Sequence, residues 1–395
     1  GVGAEMNQTV MGYRRAYGRF GIRNQVLVMS LVQCANGAAT QIAARCGVPA
    51  ITINTGCGEY HDQEKRTNLG LIRAGQHPNV YGVVLVSLGC QWTNPQAIAA
   101  EIEKYGKKVY HLCIQDEGGV KRTVEKGATL VNQLLQEGKE MPREPFPVSD
   151  LVVSVYCGGS DWSSSLAANV ATGEAADLLG DAGAAIVSAG IRGMPGHERH
   201  LIELAATHEV GEHILNIVEE YRNDVLEMTG QSIADVNPTP GNKAHGITTL
   251  CEKAIGNLEL SGNRTKVVGV LEVGKDVPAS GQWLLDNRQG GNDVYATTAL
   301  AMTGAHICLF TTGRGTPLGN AASVTIKITG NPDTYTRLGG EMIDFDASPV
   351  ITQHRDYRDL GKELYQQVLE VASGAETKAE TLEDFSWVTP PFGKI

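Results

Sequence analysis

The feature that most narrows what this chain can fold into is an alternation of short, continuously apolar runs with amphipathic helical segments. The runs are Gln25–Val32, Ala50–Thr55, Tyr81–Leu88 and Val109–Gln115, and the helical segments are Gly37–Cys46, Asp62–Ala74, Pro95–Tyr105 and Val120–Glu137. A strand wetted on one face alternates apolar with polar residues; these do not, so both of their faces must be covered. Strand, helix and strand in succession then dictate a parallel sheet with right-handed crossovers.

The pattern breaks at Gly138–Ser149, a polar stretch with three prolines that reads as a linker. A second block follows, with strands expected at Leu151–Tyr156, Ala184–Ser188, Lys266–Val273, His306–Thr311 and Ser323–Ile328. Helices are expected near Ser165–Leu179, His197–Leu226, Thr248–Leu258, Asp293–Thr303 and Leu360–Ser373. The segment after Gly374 reads as a surface arm. With 395 residues the chain exceeds one ordinary core. The expected fold class is α/β, with two parallel-sheet three-layer domains. These are a Rossmann-like or flavodoxin-like parallel α/β domain over 6–140 and a second α/β domain, carrying the chemistry, over 150–395.

Bulk properties exclude several classes. A formal charge of −11 opposes a phosphate-binding surface, so no nucleic-acid partner is expected. No run approaches the ~18 apolar residues of a membrane span, and no basic segment precedes an apolar stretch near the start. The expected location is cytoplasmic, and the eight cysteines are expected to be reduced thiols. No CxxC pair is present, which disfavours a zinc ribbon or a thioredoxin-like site.

Four cysteines hold equivalent topological positions: Cys34, Cys57 and Cys90 follow the first three strands, and Cys157 follows the first strand of the second block. Strand carboxyl ends open on one edge of a parallel sheet, where ligands bind. Glycines beside these thiols leave backbone amides free for an anion. Each thiol taken alone reads more readily as core packing, and it is the set that points to a functional edge. The fourth strand ends in Gln115-Asp116-Glu117-Gly118-Gly119, whose carboxylates suit either a metal or a proton transfer, or a helix cap. In the second block, Asn242-Lys243-Ala244-His245 lies on a Pro/Gly-stiffened loop, where Lys243 and His245 would supply a base and a cation. Thr311-Thr312-Gly313-Arg314 makes a carboxylate clamp, because arginine binds carboxylates through two parallel hydrogen bonds. Ser160 and Asp161 join these as expected substrate contacts. Two arginines, Arg19 and Arg23, precede the first strand and read as structural or as a subunit contact no less than as substrate-binding. The pairs His197/His200 and His208/His213 read as surface.

Several long motifs, in this order, resemble the altronate and galactarate dehydratase family: GYRRAYGRFGIRN (Gly12–Asn24), TGCGEY (Thr55–Tyr60), HPNVYGVVLVSLGC (His77–Cys90), IQDEGGVKRTV (Ile114–Val124), CGGSDWSS (Cys157–Ser164), PGNKAHGITTL (Pro240–Leu250) and FTTGRGTPLG (Phe310–Gly319). The resemblance implies a hydro-lyase that dehydrates a sugar acid, such as altronate or galactarate, to a 2-keto-3-deoxy acid. It also implies a divalent metal, Fe2+ before Mn2+, for which Cys34, Cys57, Cys90 and Cys157 are the expected ligands. Lys243 or His245 would take the α-proton, Glu117 would assist the leaving hydroxyl, and Asn242, Arg314, Thr311, Thr312, Ser160 and Asp161 would hold the substrate. Family members carry a small N-terminal domain, so a separate small subunit is expected as partner, within a homo-oligomer. The chain departs from the family pattern at Gln91, at Ser188–Gly193, at His245, and in lacking a cysteine near Asp344–Ser348. Two alternatives stay open: a sulfo-lyase acting on a sulfonated hydroxy acid such as sulfolactate, with Arg192 adding positive charge, and a non-catalytic sugar-acid-binding subunit.

Overall fold

A computed structural model describes residues 8–389 except 289 and 291. Thirteen strands are ordered along the chain: β1 (Thr9–Gly12), β2 (Gln25–Ser30), β3 (Ala50–Ile51), β4 (Val80–Ser87), β5 (Lys108–Cys113), β6 (Glu144–Pro147), β7 (Val152–Cys157), β8 (Ala185–Ala189), β9 (Val267–Glu272), β10 (Gly281–Asp286), β11 (Ile307–Thr311), β12 (Val324–Thr329) and β13 (Phe345–Asp346). They form a four-stranded sheet in the order β3-β2-β4-β5 and a seven-stranded sheet in the order β13-β12-β11-β7-β8-β10-β9. Every pairing in both is parallel. The α/β class with two parallel sheets is therefore as the sequence pattern dictates.

Layering follows from the two-residue period of a strand. In the first sheet Val26, Val28, Val84 and Val86 pack with Ala39, Ile42, Val131 and Leu134 from helices Asn36–Cys46 and Val120–Glu140. The alternate residues Leu27, Met29, Val83 and Leu85 meet Leu71, Ala74, Ile98 and Ile102 on the opposite face. The second sheet buries Val153, Val155, Ile186 and Leu309 against helices Asn169–Asp181 and Tyr357–Ala372. Its other face takes Val152, Val187 and Leu285 with Ala299 and Leu300 of helix Asp293–Ala301. Each such aliphatic side chain contributes roughly 1.5–3 kcal/mol on burial.

Three expectations change. The stretch read as a linker ends helix Val120–Glu140 and then forms β6, antiparallel to β1, with Met11 opposite Pro145 and Thr9 opposite Pro147. A two-stranded ribbon tolerates proline because its outer edge needs no donor. Behind it, Val10, Phe20 and Ile22 join the second sheet's core. The segment read as a surface arm instead returns to the first sheet, where Trp387 packs with Leu27 and Leu71. His197–Leu226 is two helices, Arg199–Leu204 and His208–Thr229, the second capped by the Thr207 side chain. Strand β10 went unread because GQWLLD is short and follows a Pro/Ser/Gly turn. The two sheets are tied by buried Asn79, whose Nδ2 donates to the His306 and Ala322 carbonyls, each at 3.0 Å, while Oδ1 accepts from the Ile22 amide. Among the described residues no helix is long and apolar enough to cross a membrane.

Candidate active site

The chain leaves β7 toward β8 on one side and β11 toward β12 on the other. Neighbouring strands that wind apart in this way leave a crevice beyond their carboxyl ends. A cavity of about 600 Å³ opens there, lined by the turns after β7, β8, β10 and β11 and by the segment around Asn237–His245.

Its base is the Cys157-Gly158-Gly159-Ser160 turn. The Gly158 amide donates to the Thr311 carbonyl and the Arg314 amide to the Gly159 carbonyl, both at 3.0 Å, lacing the two loops together. A Cβ on Gly158 would collide with the Asp293 carboxylate and the Phe310 ring, so glycine is what admits Asp293 to the floor. The Cys157 thiol lies 2.7 Å from the Ser160 hydroxyl, and burial raises its pKa.

Asn242 organises the wall. Its Nδ2 donates to the Ser160 carbonyl at 2.9 Å, and its Oδ1 accepts from the Lys253 ammonium at 3.0 Å. Lys253 also donates to Asn237 Oδ1 at 3.1 Å, and burial lowers its pKa while Cys157 and Asp293 oppose that shift. Burial in turn lifts the Asp293 carboxyl above the ordinary range, against the pull of Lys253 and a hydrogen bond from Tyr156. The Tyr156 hydroxyl is pushed upward, again by burial. His245 Nδ1 sits 2.7 Å from the Gly241 carbonyl. A carbonyl can only accept, so Nδ1 carries a proton, and in the neutral form of the ring the lone pair is on Nε2. Arg192 and Arg314 also line the cavity. Neither guanidinium has an ion-pair or hydrogen-bond partner among the described residues; Arg192 only lies against the Tyr221 ring, 5.9 Å from its centroid. The Asn287 Oδ1 atom, buried in the same wall, has no hydrogen-bond partner either.

The structure brings His245, Asn242, Arg314, Ser160 and Cys157 together and places the other expected residues elsewhere. Lys243 is exposed and does not line the cavity, because on the one-turn helix Pro240–Ala244 it points about 100° away from Asn242. Glu117 follows β5 of the first sheet and pairs with Lys126 at 2.6 Å. Asp161 is buried behind the turn, where Oδ1 accepts from the Ser163 amide and hydroxyl and Oδ2 from Asn331. Thr311 donates to Asn169 at 2.8 Å and Thr312 meets Thr316, so both brace the loop and do not line the cavity. Cys34, Cys57 and Cys90 are exposed beyond the first sheet, whereas Cys157 lies beyond the second. Equivalent positions in topology thus fall on two different sheets. Among the described residues no three His, Cys, Asp or Glu side chains gather to hold a metal ion. The expected four-cysteine set does not fit a metal cage.

Sequence reasoning missed Lys253, Asp293, Tyr156 and Asn287. Lys253 and Asn257 stand one helical turn apart on helix Leu250–Glu259, and both line the cavity. That spacing, like the acid just after the Asn292 helix cap, was the available signal.

The family described as "D-galactarate/Altronate dehydratase, C-terminal" matches residues 148–390, and "D-galactarate dehydratase/Altronate hydrolase, second domain" matches residues 12–139. The (2R)-sulfolactate sulfo-lyase subunit beta of Chromohalobacter salexigens is 32% identical over 379 residues, covering 95% of each chain. The altronate dehydratase of Bacillus subtilis is 32% identical, covering 93% of this chain and 74% of that one. The altronate dehydratase of Escherichia coli is 33% identical, covering 94% of this chain and 75% of that one. With matches that span both sheets and relatives about a third identical over most of the chain, this chain belongs to the D-galactarate/altronate dehydratase family.

Proposed function

We propose that this chain is a hydro-lyase that dehydrates a sugar acid such as altronate or galactarate to a 2-keto-3-deoxy acid. The observation that carries the reading is the meeting, in one cavity, of a histidine lone pair, a carboxyl with a raised pKa and three cationic side chains. Arg314 holds the substrate carboxylate through a two-point contact. The Nε2 atom of His245 takes the α-proton, and the electrons of that C–H bond begin an α–β double bond. The negative charge that builds on the carboxylate oxygens is met by Lys253, fixed in place by Asn237 and Asn242. The β-carbon–oxygen bond breaks as Asp293, protonated more readily than an ordinary carboxyl, gives its proton to the departing hydroxyl. Water leaves, and the enol tautomerises to the 2-keto acid. Asp293 takes the part expected of Glu117, and no step passes through a metal. A requirement for Fe2+ or Mn2+ is a separate proposal, supported by the family resemblance alone. Anaerobic chelation tests it: loss of activity with recovery on adding the ion supports it, and undiminished activity rejects it.

A second reading has a specific observation in its favour. The sulfo-lyase beta subunit matches end to end, and Arg192 adds a cation able to hold a sulfonate. In that reaction the β-carbon–sulfur bond breaks and sulfite leaves. The same match supports a separate small subunit as partner. An anaerobic screen of aldonic, aldaric and sulfonated hydroxy acids, with and without such a subunit, separates the readings. Keto acid alone supports dehydration, keto acid with sulfite supports the second reading, and binding without turnover rejects both.

A further inference from the structure

A second cavity, of about 280 Å³, lies between the two sheets and shares no lining residue with the candidate active site. It is lined by Arg19, Tyr105, Lys107 and Asp276, among others. Lys107 is only 6% exposed, and its ammonium meets two backbone carbonyls, His77 at 2.9 Å and Val80 at 2.6 Å. Three donors and two acceptors leave one N–H unused. The Arg19 guanidinium likewise reaches only the carbonyls of Asp150 and Val277, at 3.1 and 3.3 Å. Arg15, close enough to repel Lys107, is held by the Pro78 and Arg23 carbonyls and the Asn24 amide oxygen. Among the described lining residues the carboxylate is Asp276, which pairs with Arg73 and accepts from the Tyr105 hydroxyl, and both Asp150 and Asp276 attract Arg19 without a direct ion pair. Buried cations are ordinarily paired. Here Arg19 and Lys107 line an open space and make no direct ion pair among the described residues.

We propose that this cavity binds a small oxyanion between Arg19 and Lys107, locking the first sheet's unit to the second. The ligand is an inorganic phosphate or a short carboxylate, which share the chemistry of two or more acceptor oxygens on one centre. Arg19 precedes β2 and Lys107 precedes β5 in the first unit, and Asp276 and Val277 follow β9 in the second, so one bound ion bridges all three segments.

Thermal denaturation of the full chain, titrated with phosphate and separately with acetate, tests this against chloride at matched ionic strength. A saturable rise of roughly 2–5 °C is expected with one or both oxyanions and not with chloride. Arg314→Gln should keep the rise, which places the ion outside the candidate active site, and Lys107→Met should abolish it. If Lys107→Met does not fold, Arg19→Gln carries the same expectation. A rise no larger than chloride's, or one unchanged in the Lys107 or Arg19 variant, overturns the proposal.

Discussion

Lys253 and the Ser160 carbonyl are held by opposite ends of a single amide: Asn242 Oδ1 accepts from the lysine at 3.0 Å while Nδ2 donates to the carbonyl at 2.9 Å. The amide cannot flip without setting its NH2 group against an ammonium, so its orientation is fixed by its partners. The glycine turn after β7, the helix bearing Lys253 and the loop bearing His245 therefore move as one piece.

The first consequence concerns which lysine matters. Lys253→Met should lower kcat by about 100-fold or more, the usual cost of removing a group aimed at developing charge. Lys243→Ala should change kcat less than about threefold, since that side chain faces solvent. Steady-state keto-acid assays on the two variants, with circular dichroism to show intact folds, check this. Equal losses in both would remove Lys253 from its assigned part.

Asn242→Ala should be costly in a different way. It strands the Ser160 carbonyl and one donor of Lys253 in a buried setting, a loss of about 1–3 kcal/mol. A lower urea midpoint with unchanged slope, together with a fall in kcat, is expected. A drop in stability alone would make Asn242 a brace without influence on the lysine.

Much of the fold was legible because burial on both faces leaves a direct mark on composition. Val80–Ser87 is apolar at nearly every position and could hardly be anything but an interior strand. Glu144–Pro147 left no such mark, being four residues long with a partner distant in sequence, and Gly281–Asp286 opens on a glycine and a glutamine directly after a turn. A loop that follows a strand was the readable signal: Cys157, Ser160 and Arg314 stand at or beyond the carboxyl ends of β7 and β11 and line the cavity, whereas His245 reaches it from the end of the short helix Pro240–Ala244. Burial of individual side chains at that edge was illegible: Cys34, Cys57 and Cys90 follow strands beside glycines as Cys157 does, yet they are exposed where Cys157 is partly buried. Lys253 looked like one more charged residue on an amphipathic helix, and only the packing of that helix against the cavity sets it apart from Lys243.

Two buried histidines make stability fall in acid. His306 Nδ1 accepts from the Val152 amide at 3.0 Å and Nε2 donates to the Phe20 carbonyl at 2.8 Å, so the fold requires the neutral ring. Burial lowers its pKa from 6.5 to about 4. His77 is held the same way, between the Asn79 amide and the Ala305 carbonyl, and is also lowered by burial. Between pH 6.5 and about 4 the unfolded chain binds protons that the folded chain refuses at His306. Stability is therefore lost as pH falls through that window, by on the order of 3 kcal/mol for His306 alone. Urea titrations at about pH 7 and about pH 5 should show the decline. His306→Gln, which keeps a donor and an acceptor, should flatten it, and an unchanged slope would locate the acid sensitivity elsewhere.

The thiols should divide by sheet. Cys34, Cys57 and Cys90 are exposed, so a thiol reagent should modify them first. The partly buried Cys157, its thiolate disfavoured by burial, should react more slowly and be shielded by a bound sugar acid. Peptide mapping by mass spectrometry during alkylation reads the order. Loss of activity that tracks the three exposed thiols would tie the first sheet's edge to the chemistry after all.

Arg314 and Arg192 follow β11 and β8, the strands on either side of the central strand β7, which are two strand spacings or ~10 Å apart. Neither is neutralised by a protein carboxylate among the described residues. A guanidinium that holds the reacting carboxylate acts in both ground and transition states, whereas one at the far end acts only on substrates with a second charge there. Arg314→Gln should therefore cut kcat/KM for every acid substrate by roughly 10–100-fold, mostly through KM. Arg192→Gln should do so for a dianion, such as an aldaric or sulfonated acid, and leave a singly charged aldonic acid within about threefold. Kinetics on an aldonic and aldaric pair of matched stereochemistry measure the difference directly. Equal losses on both substrates would place Arg192 at the reacting carboxylate beside Arg314, and no loss on either would return it to the surface of the molecule.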